Sequence, residues 1–196
     1  KKDKQGKIRQ RLLKIRAKKV VLATGALERP LIFNNNDRPG IMLSSAVKKY
    51  ADFYGVICGQ KTVFFTNNDS AYESAFCLHN KGIKVEAIID IRDNSNSKIV
   101  RAVKEAGIKI HWSHTVVDTS GYKRLKNISL MKLSNDGMSV TGNRIEISCD
   151  CLGVSGGWTP AVHLFTQSGG KLSFDEENKV FLPSKYTSEQ ISIGSC

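Results

Sequence analysis

The chain has 196 residues, 40% of them hydrophobic, enough for one good core or two small lobes, and no apolar run is long enough to cross a membrane as a helix. Its net charge is +12, but the excess is local: residues 1–20 hold ten lysines and arginines against Asp3 alone. No aromatic platform accompanies these cations, which argues against nucleic acid as a partner.

In that basic arm Leu13, Ile15 and Ala17 alternate with Lys14, Arg16 and Lys18, the period of a strand with one wet face. Val20 to Ala23 then reads as a buried strand ending in a Thr24-Gly25 turn, the place where a parallel sheet meets its ligand. Residues 31–40 form a polar loop closed by Pro39-Gly40. Ser44 to Tyr54 predicts a helix with Ala46, Tyr50, Ala51 and Tyr54 on one side and Gly55 at its end.

Residues 61–93 carry the clearest functional signal. Thr62 to Thr66 is an apolar run too short for a helix and rich in strand formers. From Asp69 to Lys81, Ala71, Ser74, Ala75 and Leu78 share a helical face, and Gly82 is the stop. Ile83 to Asp90 is a second strand ending in an acid. This is a βαβ unit in which the dinucleotide fingerprint G-x-G-x-x-G/A aligns with Thr66-Asn67-Asn68-Asp69-Ser70-Ala71, and only Ala71 matches.

Chemistry suggests how the loop could still serve. Asn68 stands where the second glycine would be, and asparagine reaches positive φ more easily than other side-chain-bearing residues. Thr66 is expected to keep strand geometry and offer its hydroxyl, since a β-branched residue is strained at positive φ. Asp69 or Asn68 can cap the helix, whose free N–H groups and Ser70 would face an anion. Asp90 has the position of a carboxylate that accepts from an adenosine ribose, favouring NAD; Arg92 pulls the other way, because an arginine there can hold a 2′-phosphate.

Another helix is expected from Ser95 or Ser97 to Ala106, then a strand from Ile108 to Trp112. Thr115–Asp118, Leu125–Leu133, Ser139–Val140 and Arg144–Ser148, separated by turn signals that include Thr141-Gly-Asn143, predict an antiparallel meander. A strand from Cys151 leads to a second glycine turn, Gly156-Gly157-Trp158, and a helix with Pro160 near its start. Gln190 to Gly194 predicts one more buried strand.

The five cysteines, Cys58, Cys77, Cys149, Cys151 and Cys196, include no C-x-x-C, so no redox pair or zinc knuckle is indicated. Cys149-Asp-Cys151 on one strand would put both thiols on one face, and His111 and His114 are the clustered histidines; ordinary strand residues are the reading preferred over a zinc site. No acid–base or nucleophile–base constellation appears, so no residue is given a catalytic role and no metal is expected.

The strings ATGALERPLIF, NDRPGIML, TNNDSAYESA and VSGGWTPAVHLFTQSGGKL, spread over most of residues 20–185, resemble the family of heterotetrameric sarcosine oxidase α subunits and related bacterial amine and opine oxidases. The glycine-poor TNNDSAY loop is the specific part; an A-T-G turn occurs widely. The resemblance implies an α/β fold of the three-layer FAD/NAD(P)-binding type, a parallel sheet with helices plus an antiparallel meander. It further implies an FAD-type segment in residues 1–40, an inserted NAD-binding domain in 41–153 and a return to the FAD-type domain in 154–196. The family's Gly-rich fingerprint and aminomethyltransferase-like domain are not in these residues, which fits a fragment, as does a first residue that is not methionine.

By the same resemblance the complete enzyme would demethylate sarcosine oxidatively to glycine, form peroxide and pass the one-carbon unit to tetrahydrofolate. It would use FAD, FMN and a bound NAD, with β and smaller subunits as partners, in the cytoplasm. Thr66, Asn67, Asn68, Asp69 and Ser70 would hold the pyrophosphate and Asp90 the ribose, while Thr24, Gly25, Gly156, Gly157 and Trp158 would lie near the nicotinamide. Two alternatives remain open: an NAD(P)H-dependent flavoprotein reductase, and a non-catalytic interaction module that keeps the fold without its ligand.

Overall fold

A computed structural model describes residues 4–8 and 10–195. Lys1, Lys2, Asp3 and Arg9 of the basic arm, and Cys196, lie outside the described residues. Two compact units divide the chain: one comprises the residues up to Ala26 together with those from Pro160 onward, and the other runs from Leu27 to Thr159.

In the first unit, residues 10–19 form no strand. Among the described residues no strand pairs with the stretch that carries Leu13, Ile15 and Ala17, and Leu13 and Ile15 are exposed. β1 (Val20–Leu22) follows; among the described residues it pairs only with a strand at the far end of the chain, so Val20 and Val21 stay exposed where a buried strand was expected. The chain enters the second unit within β2 (Ala26–Glu28).

The second unit is built on β3 (Ile41–Leu43), α1 (Ser44–Phe53), β4 (Thr62–Thr66), α2 (Ser70–Asn80), β5 (Val85–Asp90), α3 (Lys98–Glu105) and β6 (Ile110–Trp112). The meander β7 (His114–Ser120), β8 (Asn127–Leu133) and β9 (Val140–Ser148) follows, and β10 (Cys151–Ser155) returns to the sheet. The five-stranded sheet has the order β3-β10-β4-β5-β6 with every pairing parallel.

Strand alternation sorts its side chains onto two faces. Val63, Phe65, Ala87, Ile89, Leu152 and Val154 pack on one side with Val116, Leu125, Ile128 and Leu130 of the meander region. Phe64, Ile88 and Cys151 pack on the other, against Val47 and Ala51 of α1, Ala71, Tyr72, Ala75 and Leu78 of α2, and Val100 and Val103 of α3. Helices, parallel sheet and meander thus form the three layers of the expected fold class.

Several local expectations change in this frame. The buried face of α1 carries Ser44, Val47 and Ala51, while Tyr50 and Tyr54 point to solvent, because the Val47 and Ala51 side packs on the sheet. Cys149 and Cys151 do not share a face: Cys149 precedes β10 and packs on the meander side, Cys151 on the helix side. Ser139–Val140 and Arg144–Ser148 join into the single strand β9, and the supposed turn at Thr141-Gly-Asn143 lies within it, beside a register shift between Leu130 and Lys132 of β8.

Trp158–Pro160 is β11, in which the chain leaves the second unit; Pro160 therefore ends a strand, and the helix α4 begins only at His163 (His163–Gln167). The first unit then adds the hairpin β12 (Lys171–Asp175) and β13 (Val180–Lys185), which sequence reasoning missed, and β14 (Gln190–Ser192), the parallel partner of β1. Gln190 is buried, its side-chain amide donating to the Phe165 carbonyl at 3.3 Å, whereas Ile191 is half exposed. The unit boundaries fall at 26/27 and 159/160; Phe33 belongs to the core of the second unit, and Leu31 packs against it. No helix among the described residues is long and apolar enough to cross a membrane.

Candidate dinucleotide site

β4, β5 and β6 run outward in one direction while β10 lies on the other side of β4, so the strand order reverses between β4 and β10. In open parallel sheets the crevice at the carboxyl ends of such strands is where ligands bind. The TNNDS loop occupies it.

Thr66 ends β4 with strand geometry, and its hydroxyl closes the turn: Oγ1 accepts from Asn68 N at 3.0 Å and donates to Asn68 O at 2.9 Å. Asn68 does not use positive φ; among the described residues only Asn35, Ser113 and Lys179 do so without being glycine. Its contribution is instead through the side chain. Oδ1 accepts from Ser70 N at 3.0 Å and from the Ser70 hydroxyl, and Nδ2 donates to Asn67 Oδ1 at 2.9 Å and to Ser155 O and Oγ at 3.2 and 3.1 Å. Asp69 occupies the N-cap position of α2 but makes no side-chain capping bond, so Asn68 serves the first free N–H of the helix.

Across the crevice, Asn67 N donates to Ser155 O and Asn67 Nδ2 to Gly156 O, each at 3.4 Å, and Trp158 Nε1 donates to Ser70 Oγ at 3.0 Å. Gly156 is fixed by packing: a Cβ there would lie 2.8 Å from Pro30 O, and its N–H donates to Arg29 O at 2.6 Å. Gly157 has φ +99°. Thr24 and Gly25 belong to the other unit, where Thr24 Oγ1 donates to Ala161 O at 2.7 Å, Gly25 O accepts from Ala161 N at 2.9 Å, and Gly25 turns at φ +67°.

Asp90, at the end of β5, is fully buried. Tyr72 Oη donates to Oδ2 at 2.7 Å, and Arg92 donates through Nη2 to Oδ2 at 2.8 Å and through N and Nε to Oδ1 at 3.0 and 3.1 Å. Arg92 Nη2 also reaches Asp69 Oδ1 at 2.7 Å, and Ser95 Oγ donates to the same oxygen at 3.4 Å. Burial works against ionising Asp69, but hydrogen bonds from Ser97, Arg92 and Ser95 and the Arg92 charge outweigh it and hold the carboxyl below its ordinary value. Burial, then the Asp90 hydrogen bond and charge, push the Tyr72 phenol well above its usual range, so it remains a donor.

The second unit therefore gathers Thr66, Asn67, Asn68, Asp69, Ser70, Asp90, Arg92, Gly156, Gly157 and Trp158 at one end of the sheet. It adds Tyr72, Ser95 and Ser155, which sequence reasoning did not single out. Ser155 had a signal, as the last residue of the strand beside the switch point; Tyr72 read only as a helix residue. At this end of the sheet the start of an eleven-residue helix, the Ser70 hydroxyl, two side-chain amides and an indole N–H hydrogen-bond to one another and to the ends of β4 and β10, and the Asp69 charge is answered by Arg92. His111 and His114 stand ring to ring at 5.5 Å, and no group of three or more His, Cys, Asp or Glu side chains among the described residues is placed to hold a metal.

No protein-family model matches the chain. It is 41% identical over 192 residues to the sarcosine oxidase subunit alpha of Corynebacterium sp. (strain P-1), covering 97% of this chain and 19% of that protein. With the subunit of the same name from Rhizobium meliloti (strain 1021) it shares 37% over 176 residues, 88% of this chain and 16% of the relative. The chain thus spans about a fifth of the length of the curated relatives it matches. Among solved structures, thioredoxin reductase from T. acidophilum superposes with a TM-score of 0.66 at 17% identity, covering 91% of this chain and 57% of the other. L-proline dehydrogenase from P. horikoshii gives 0.59 at 21% identity, covering 91% and 30%. Over nearly its whole length, therefore, the chain is similar to one segment of the sarcosine oxidase alpha subunit and has the fold of FAD/NAD(P)-binding oxidoreductases.

Proposed function

We propose that the chain is the NAD-binding segment of a sarcosine oxidase-like flavoenzyme. The observation that carries the reading is the junction of Asn68, Ser70, Ser155 and Trp158 at the carboxyl ends of β4 and β10, where four polar groups converge on the start of α2. In this reading Thr66 and Asn68 shape the turn, and Asn67 and Ser70 contact the pyrophosphate beside the helix N–H groups. Gly156, Gly157 and Trp158 border the nicotinamide end, while Thr24 and Gly25 belong to the other unit, read as part of the FAD-type segment. Asp69, Asp90 and Arg92 serve the adenosine end, with Asp90 anchoring Arg92.

NAD, where it turns over, supplies hydride chemistry; the polypeptide supplies placement and electrostatics. The complete enzyme is read as oxidising sarcosine with FAD, FMN and tetrahydrofolate in a complex with β and smaller subunits. Titrating NAD into the full-length protein tests the binding claim. Submicromolar to micromolar affinity, weakened at least tenfold by Asp90→Ala, is expected; absence of binding by the folded protein overturns it. Bleaching of the flavin by NADH would mark the nicotinamide as redox-active and favour a reductase.

A further inference from the structure

We propose that Asp69, set in place by Arg92, is a specificity-determining residue that makes the site accept a free ribose 2′-hydroxyl and reject a 2′-phosphate. The inference rests on the dinucleotide reading above and assigns its adenosine end.

Asp90 stands where a ribose-binding carboxylate is expected. Its carboxylate, however, is wholly buried and already takes Tyr72 Oη, Arg92 N, Arg92 Nε and Arg92 Nη2. A carboxylate offers about four acceptor positions, so Asp90 has none left for a ligand hydroxyl while Arg92 stays in place. Arg92 in turn commits three of its five guanidinium N–H donors to carboxylates, which leaves a phosphate only the Nη1 pair. Its Nε and Nη2 are spent on carboxylates, Nη2 bridging Asp90 and Asp69, and the guanidinium lies 6.0 Å from the centre of the Tyr72 ring.

The acid of this cluster that a ligand can reach is Asp69, whose side chain is 36% exposed against 0% for Asp90. Ser95 steadies it from the loop after β5, and Arg92 from the end of that strand. Two carboxylates and one guanidinium leave the hydrogen-bonded group with net negative charge, and Asp93 follows next in the chain. An ionised carboxylate there accepts from a hydroxyl and repels a phosphate dianion.

The test is calorimetric titration of NAD and of NADP into the full-length protein freed of bound nucleotide, at low and high salt. The wild type should bind NAD at least tenfold more tightly than NADP, with the ratio shrinking as salt screens the repulsion. Asp69→Asn, which keeps an oxygen for Arg92 but removes the charge, should bring NADP within about threefold of NAD. A wild type that binds both equally, or a ratio unchanged in Asp69→Asn, overturns the proposal while leaving the NAD reading intact; binding of neither overturns both. Should the variant fail to fold, a wild-type ratio insensitive to salt overturns it by itself.

Discussion

Tyr72 Oη donates to Asp90 Oδ2 at 2.7 Å where neither side chain meets solvent. The bond ties α2 to the end of β5 inside the βαβ unit, eighteen residues apart in sequence, and Trp112 of β6 stacks on the Tyr72 ring with centroids 6.1 Å apart. Tyr72 thus joins α2, β5 and β6 beside Asp90 and Arg92.

Tyr72→Phe keeps the ring and its stacking but leaves one position of a buried carboxylate unfilled. A loss of about 1–3 kcal/mol is expected, from the desolvation cost of an unsatisfied charged acceptor. Urea denaturation should show a lower midpoint with an unchanged slope; an unchanged midpoint would mean that Arg92 alone satisfies Asp90.

Gly153 lies in β10 with the Phe64 ring of β4 against it, and a Cβ there would come within 2.6 Å of two ring atoms. Phe64 is fully buried and has little room to yield. Gly153→Ala should destabilise the second unit by about 1–3 kcal/mol, the usual cost of overpacking. Thermal melting of Gly153→Ala, alone and with Phe64→Leu, tests this: the second change should recover part of the loss.

Burial pushes the Cys149 and Cys151 thiols each up to about 12, so neither forms thiolate at pH 8 in the folded protein. In native protein both should resist alkylation that denaturant makes complete. Mass mapping of labelled peptides distinguishes them from Cys58 and Cys77, which are partly exposed.

The same shifts give a stability slope. The folded state holds these protons more tightly than the unfolded chain, whose thiols ionise near 9, so stability falls as pH rises from about 9 towards 12. Denaturant midpoints measured over that range should fall less steeply in a Cys149→Ala, Cys151→Ala variant than in the wild type.

Ser97 caps α3, its hydroxyl accepting from Val100 N at 3.4 Å. It also helps hold the Asp69 carboxylate. Ser97→Ala should cost about 0.5–2 kcal/mol, within the range for a lost N-cap. It should also lower dinucleotide affinity by a few fold through Asp69, whereas Ser97→Asp should restore the cap without restoring the affinity.

The sequence by itself determined the elements of the βαβ unit. Thr62–Thr66 appears as β4, the helix ends before Gly82 at φ +74°, and Ser97 caps α3 as its position suggests. These are local: strand period, helical period, a cap and a left-handed stop are each written within a few residues. Contacts across the fold were decided elsewhere. The sheet layers put Cys149 and Cys151 on opposite sides, packing turned Tyr50 and Tyr54 outward, and a register shift absorbed an apparent turn into β9. The site divides in the same way. Thr66 and Asn68 tie the loop by bonds between near neighbours, which residue chemistry partly foretold, but Asn68 caps rather than turns. That Asp90 is filled by Tyr72 and Arg92, leaving Asp69 as the exposed acid, follows only when α2, β5 and the loop beyond meet, because a carboxylate's free valence depends on every donor that surrounds it.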